Sequence, residues 1–332
     1  MSTDKPFRWN LANRRALDAM FRTLAHADLP DKDSYFCQPL FKMHNERIEN
    51  TVSGFGLALS PEIIHTCARI AASASDCDLI FVGRSPETFF DYLSGLFFDS
   101  SWRERIILLQ FSYRFVDKNR INWTLALPAL RNYFRTLKLD PANLMRRERP
   151  VAFVDLVCSG ETFGNLIHLL AAWAKEEGIE WKSVRRKIRL LGLTSKCKAS
   201  PKARRWTEQA NWLDMLESGS VKNIAIHPEL WDYFGNRQRK VTPSFRPENW
   251  GKDKAYSPAR NIASLAALRM AIYWFGLGQR ATSRDDFASL LCEQPEMKRR
   301  ELREMVAELR QTRRTEKRLR KNRSRSLPAS LR

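Results

Sequence analysis

Asp155 stands at the end of an apolar run, Val151 to Val154, and is followed four to seven residues later by Ser159, Gly160, Glu161 and Thr162. An apolar stretch from Leu166 to Trp173 comes next. Read as strand, acid, small polar loop and helix, this spacing sets a carboxylate beside the unpaired N–H groups and positive dipole end of a helix start. That is chemistry for holding a phosphorylated ligand. A second junction has the same character. The run Asp78 to Val82 is followed at once by Gly83, Arg84, Ser85, Pro86 and Glu87. Gly83 lets backbone approach a ligand closely, Arg84 brings charge for an anion, and Ser85 is placed to cap a helix that Pro86 opens. The chain contains no CxxC, HExxH, GxGxxG or GxSxG. Those absences argue against a zinc site, a dinucleotide fingerprint and a serine-hydrolase elbow. The six cysteines are scattered and read as free thiols of a cytoplasmic protein.

The elements that must position these residues follow from apolar periodicity and turn signals. Short apolar runs near 78–82, 106–111, 151–155, 188–194 and 222–227 alternate with helical stretches. This predicts an α/β fold: a parallel five-stranded, Rossmann-like sheet flanked by helices, with helical additions at both ends and ligands outside the carboxyl ends of the strands. Helices are expected from Ser60 to about Ala74, from about Leu127 to Leu137, from about Ala203 to Glu217, and from Ser257 to about Phe275. Asp140-Pro141 starts another helical turn, and Ser283 to Asp286 reads as a capping box. A last helix carries Leu302, Met305, Val306 and Leu309 on one face. Ile262 to Gly278 is the most membrane-like stretch. It is short and contains Arg269, so a buried helix is expected and no membrane partner. The first thirty residues hold charges and no continuous apolar run, so no secretory segment is expected. The organisation reads as an accessory segment at 1–57, a core at 58–235, an aromatic loop and helical region at 236–309, and a basic tail at 310–332. The aromatic loop at 232–256 is either an interface or a packed cover.

Over roughly residues 58–235 the chain resembles the type I phosphoribosyltransferases. The resemblance rests on the order helix, strand, Gly-Arg-Ser junction, helix, strand, variable region, then strand and acid-plus-polar loop. It implies that Gly83, Arg84 and Ser85 contact a pyrophosphate. By the same resemblance Asp155 meets the ribose hydroxyls and is the catalytic acid, and Ser159, Gly160, Glu161 and Thr162 hold the 5′-phosphate. It also implies phosphoribosyl pyrophosphate or a related phosphorylated ribose as ligand, Mg²⁺ bridging the diphosphate, and transfer of ribose phosphate to a base or other acceptor. His227, after the last core strand, is a candidate near that acceptor, beside its plainer reading as a structural histidine. The sequence departs from the family's motif in three places. Leu156 stands where a second acid is usual, the loop is about one residue shorter, and Glu161 sits within it.

The net charge of +20 is concentrated. Residues 182–205 hold ten Lys or Arg and no acid, and residues 298–332 hold fourteen against four Glu. Such patches point to RNA or DNA. The candidate contacts are Arg185, Arg186, Lys187, Lys202, Arg204 and Arg205, then Arg313, Arg314, Lys317, Arg318, Arg320 and Lys321 in the tail. A second class of function therefore stands beside the enzyme: a non-catalytic, regulatory or effector protein of the same fold, of the kind found in bacterial defence modules, that binds nucleic acid through these segments.

Overall fold

The computed structural model describes residues 59–113, 121, 123–198, 205–241, 244–250 and 262–311. The expected N-terminal accessory segment at 1–57, Lys202, Arg204 and the tail cations from Arg313 onward lie outside the described residues.

Five apolar runs form one sheet in which every neighbouring pair is parallel. They are β1 (Asp78–Val82), β2 (Ile106–Leu109), β3 (Val151–Leu156), β4 (Ile188–Ser195) and β5 (Val221–Ile226). Their spatial order is β2-β1-β3-β4-β5. Val151 through Val154 are completely buried because helices cover both faces, which is why the strand reads as a continuous apolar run.

Strand alternation sorts the core into two layers. Leu79, Phe81, Ala152 and Val154 face one layer, which contains helices α1 (Ser60–Ser73) and α2 (Glu87–Leu96). Ile80, Val82, Val151 and Phe153 face the other, with α3 (Trp123–Thr136), α4 (Pro141–Arg146), α5 (Glu161–Glu176) and α6 (Trp181–Arg185). Each fully buried Leu, Ile or Phe contributes about 1.5–3 kcal/mol. After β5, α7 (Pro228–Asp232) returns the chain to the first layer. There α8 (Ile262–Gly278), α9 (Ala281–Cys292) and a helix at 300–311, α10, pack on α1 and α2. The α2 and α8 backbones touch: a Cβ on Gly95 would lie 1.9 Å from the Phe275 carbonyl oxygen, and one on Gly278 would lie 2.3 Å from that of Tyr92. The described residues of α8 are buried or half-buried, as expected. No helix among the described residues is long and apolar enough to cross a membrane. Leu302, Met305, Val306 and Leu309 share the buried face of α10, also as expected.

Several expectations are corrected. The stretch near 203–217 is not one helix. It makes two short 3-10 turns, Trp206–Glu208 and Asn211–Met215, because Trp206, Ala210 and Leu216 are each anchored in the second layer and helical spacing does not satisfy all three. β2 stops at Leu109, since the Gln110 N–H donates to the Tyr133 hydroxyl at 2.9 Å instead of continuing the ladder. Ser85 does not cap α2, because Pro86 occupies the cap position. Ser60 is the first residue of α1, after Leu59 at its cap, and Ser283 lies inside α9 behind Arg280. Asp140 does cap α4, accepting from the Asn143 N–H at 3.2 Å.

Candidate ligand site at the switch point

The strand order fixes where a ligand can sit. From β1 the chain turns one way to β2 through α2 on the first face, and from β3 it proceeds the other way to β4 through α5 on the second. The connections diverge between β1 and β3 and leave a crevice at their carboxyl ends, where doubly wound sheets bind ligands. Phe81 pairs with Val154, so the residues that follow, Gly83-Arg84 on one strand and Asp155-Leu156 on the other, emerge side by side. The two junctions singled out in the sequence are neighbours in space.

On the β3 side the chain folds into a small open recess lined by residues 155–163. Asp155 is 8% exposed at its base. Gly160 precedes α5 in the left-handed region, φ 77°, a conformation that favours glycine. No side chain caps this helix start, and the first-turn N–H groups have no intrahelical acceptors. Ser159 and Glu161 are exposed and Thr162 is half-buried, and all three line the recess. Leu156 alternates onto the opposite face and packs against the first layer.

Behind Gly160 packs Trp206, 5% exposed. A Cβ on Gly160 would meet its ring at 2.4 Å, and one on Gly192 would meet it at 3.4 Å. The indole stacks near Trp212, with centroids 6.0 Å apart, and donates through Nε1 to Asn223 Oδ1 at 2.8 Å. Trp206 thereby locks the turn from β3 into α5. Sequence reasoning missed it, because its partners lie 46 residues before and 17 after it, and only the two glycines signalled that something packs closely there.

On the β1 side Gly83 is also left-handed, φ 73°, and its N–H donates to the Leu109 carbonyl at 2.8 Å. Arg84 is half-buried; burial lowers its pKa, Glu87 opposes that shift and Arg246 adds to it. Ser85 is half-buried beside it. The described parts of the aromatic loop are a packed cover on this side. Gln238 Nε2 donates to Thr88 Oγ1 at 2.6 Å, the Val241 N–H donates to Glu87 Oε2 at 3.3 Å, and the Ser112 N–H donates to the Phe245 carbonyl at 3.1 Å. Trp250 stacks on Phe111 with centroids 5.8 Å apart. This cover carries Lys240 into the site. Its ammonium donates to the Phe234 carbonyl at 2.8 Å and to Gln238 Oε1 at 2.6 Å. Burial pushes its pKa down to about 7; Glu87 opposes the shift, Arg84 reinforces it, and Asp155 opposes it. Glu87, 3% exposed, Lys240 and Arg246 are charged residues here that sequence reasoning did not assign to the site.

Other candidates are not brought to this place. His227 lies at the end of β5, two strands from β3, where its Nδ1 accepts from the Glu229 N–H at 3.4 Å and caps α7. The basic run is split by β4. Arg185, Arg186 and Lys187 precede the strand at the sheet's amino edge, whereas Arg205 follows it at the carboxyl edge. An eight-residue strand spans about 26 Å. Arg185 pairs with Glu217 at 2.8 Å, Lys187 reaches the Glu148 carbonyl at 3.5 Å, and Arg186 and Arg205 are exposed. No family model, no curated protein and no solved structure matches the chain.

Proposed function

We propose that the protein binds a phosphorylated ribose at the β1–β3 switch point and transfers ribose phosphate from a pyrophosphorylated donor to an acceptor, with release of pyrophosphate. The observation that carries this reading is the adjacency of the two junctions. Gly83-Arg84-Ser85 and the 155–162 loop are far apart in sequence, yet they follow the carboxyl ends of paired neighbouring strands. The α5 start supplies N–H donors for the 5′-phosphate, with Ser159 and Thr162 hydroxyls beside them. Asp155 at the base is positioned to accept from ribose hydroxyls. Gly83 and Arg84 offer backbone access and positive charge for the diphosphate.

Among the described residues no three His, Cys, Asp or Glu side chains converge, and the Asp155 and Glu87 carboxylates face Arg84 and Lys240. Magnesium commonly arrives on a diphosphate with few protein ligands, so the assay contains it.

The test is calorimetric titration with ribose 5-phosphate and with phosphoribosyl pyrophosphate plus Mg²⁺, together with a pyrophosphate-release assay over a panel of bases. Asp155→Ala is expected to weaken ribose binding and abolish release. Unchanged release in that variant sinks the assignment. One observation favours a non-catalytic form of the same reading: Leu156 packs into the core, so no second carboxylate joins Asp155 from the strand. Ligand binding without turnover against any acceptor is the outcome that selects it.

A further inference from the structure

Lys240 is placed unlike any other lysine described. It comes from the segment after the last strand, yet its charge faces Asp155 on β3, Glu87 on α2 and Arg84 between β1 and α2. Its ammonium is held by two acceptors, the Phe234 carbonyl and Gln238 Oε1, and an ammonium has three N–H donors. The segment bearing it is pinned to α2 by the Gln238–Thr88 and Val241–Glu87 hydrogen bonds. The side chain is half-buried, and those two acceptors take up two of the three donors. Arg84, itself influenced by Arg246, adds positive charge beside it, and Asp155 and Glu87 add carboxylates. A phosphate entering the crevice meets cations already assembled.

We infer that Lys240 is an anion-binding residue of the switch-point site, closing it from the cover side opposite the α5 loop and taking a phosphate group of a small ligand. The inference rests on the reading above for the location of the ligand and goes beyond it in assigning a residue from outside the resembling region. An added anion favours the protonated lysine. Burial pushes the Lys240 pKa down to about 7 before the ligand arrives, so affinity for a sugar phosphate depends on pH in a range where that monoester, with its second pKa near about 6, stays close to its full charge.

The experiment measures ribose 5-phosphate and pyrophosphate binding by calorimetry from pH 7 to 9 with the full chain, Lys240→Met and Lys240→Arg. Thermal melts at pH 7 verify that both variants fold. Wild-type affinity is expected to fall about tenfold or more over this range as the lysine loses its proton. Lys240→Met should bind at least about tenfold more weakly at pH 7 and show a flat profile. Lys240→Arg, always charged, should keep affinity at pH 9. A second readout does not depend on the natural ligand: acetylation by acetic anhydride, followed by mass spectrometry, with pyrophosphate present or absent. Pyrophosphate should protect Lys240 and leave the exposed Lys175 unaffected. If the wild type binds ribose 5-phosphate and Lys240→Met binds it equally well, the inference falls while the ribose reading stands. If no sugar phosphate binds but pyrophosphate protects Lys240, the ribose reading falls and the anion site stands. Absence of protection together with absence of binding overturns both.

Discussion

The two ends of the sheet each carry a buried aspartate among cations, and they treat it in opposite ways. At the amino end Asp78 opens β1. Its carboxylate is gripped by Arg105 at 3.3 Å and by Arg147, with all three side chains at most 16% exposed. Arg105 also donates to the Ser75 and Cys77 carbonyls and lies over the Trp102 ring, 3.3 Å from its centroid. Donors and acceptors there are consumed by one another. At the carboxyl end Asp155 borders an open recess, and Lys240, whose charge it influences, belongs to a segment that arrives from after the last strand. The amino-end charges hold strands and helices to one another; under the proposal above, those at the carboxyl end border a recess that takes a ligand.

The largest test of that contrast is Asp78→Ala. It leaves two mostly buried guanidiniums without their carboxylate and should cost about 3 kcal/mol or more in urea unfolding, as removal of one partner from a buried ion pair does. Asp155→Asn should change stability by less than about 1 kcal/mol, because neutralising a buried carboxylate also relieves its desolvation. Equal losses at the two positions would erase the distinction between a structural and a functional end.

The same contrast explains what the sequence revealed. β1 and β3 were legible because strands buried on both faces read as unbroken apolar runs, and the 155–162 loop was legible because strand, acid, glycine and helix are contiguous. The cover was not. Lys240 sits in a loop with no periodicity, 85 residues after Asp155, and nothing local marks its ammonium as buried. Trp206 was hidden for a related reason: its meaning lies in the glycines it packs against, Gly160 and Gly192, and those contacts are long-range. The expected helix across 203–217 failed because local propensity lost to three separate burial demands. Caps expected at Ser60, Ser85 and Ser283 failed by one to three residues, the scale on which competing starts differ little in energy.

A medium-sized effect probes how strained the carboxyl end is. Lys240 has a pKa of about 7 in the folded protein, against about 10.4 for an unperturbed lysine. Between those values the unfolded chain binds more protons than the folded one, so stability rises with pH across that window. Below pH 7 both states are protonated and the cost of burying the ammonium is felt in full. The Lys240→Met variant carries no such cost. Urea unfolding at pH 6 and pH 9 should show wild type gaining about 1–2 kcal/mol relative to the variant, a figure already reduced for the side chain's partial exposure. A pH-independent difference would mean that the ammonium is solvated, and the carboxyl end would then be as relaxed as the amino end.

The smallest effect concerns the basic residues that β4 carries apart. Lys182 and Arg186 are exposed near the amino edge, and Lys196 and Arg205 are exposed at the carboxyl edge. Lys196 also pairs with Glu62 at 3.5 Å. If both halves contact nucleic acid, only a strand long enough to pass along the whole of β4 reaches both. A separation of about 26 Å corresponds to roughly eight nucleotides at about 3.4 Å each. Single-stranded 6-mers and 30-mers should therefore behave differently in salt titrations. For the 30-mer, replacing either Lys182 and Arg186 or Lys196 and Arg205 by Gln should reduce the slope of log affinity against log salt by about 1.4, near 0.7 per lost phosphate contact. For the 6-mer, only one of the two double substitutions should matter. Slopes unchanged by either pair would make the run a solvated surface. Equal sensitivity of the 6-mer to both pairs would bring the two ends together on one patch, against the separation that β4 imposes.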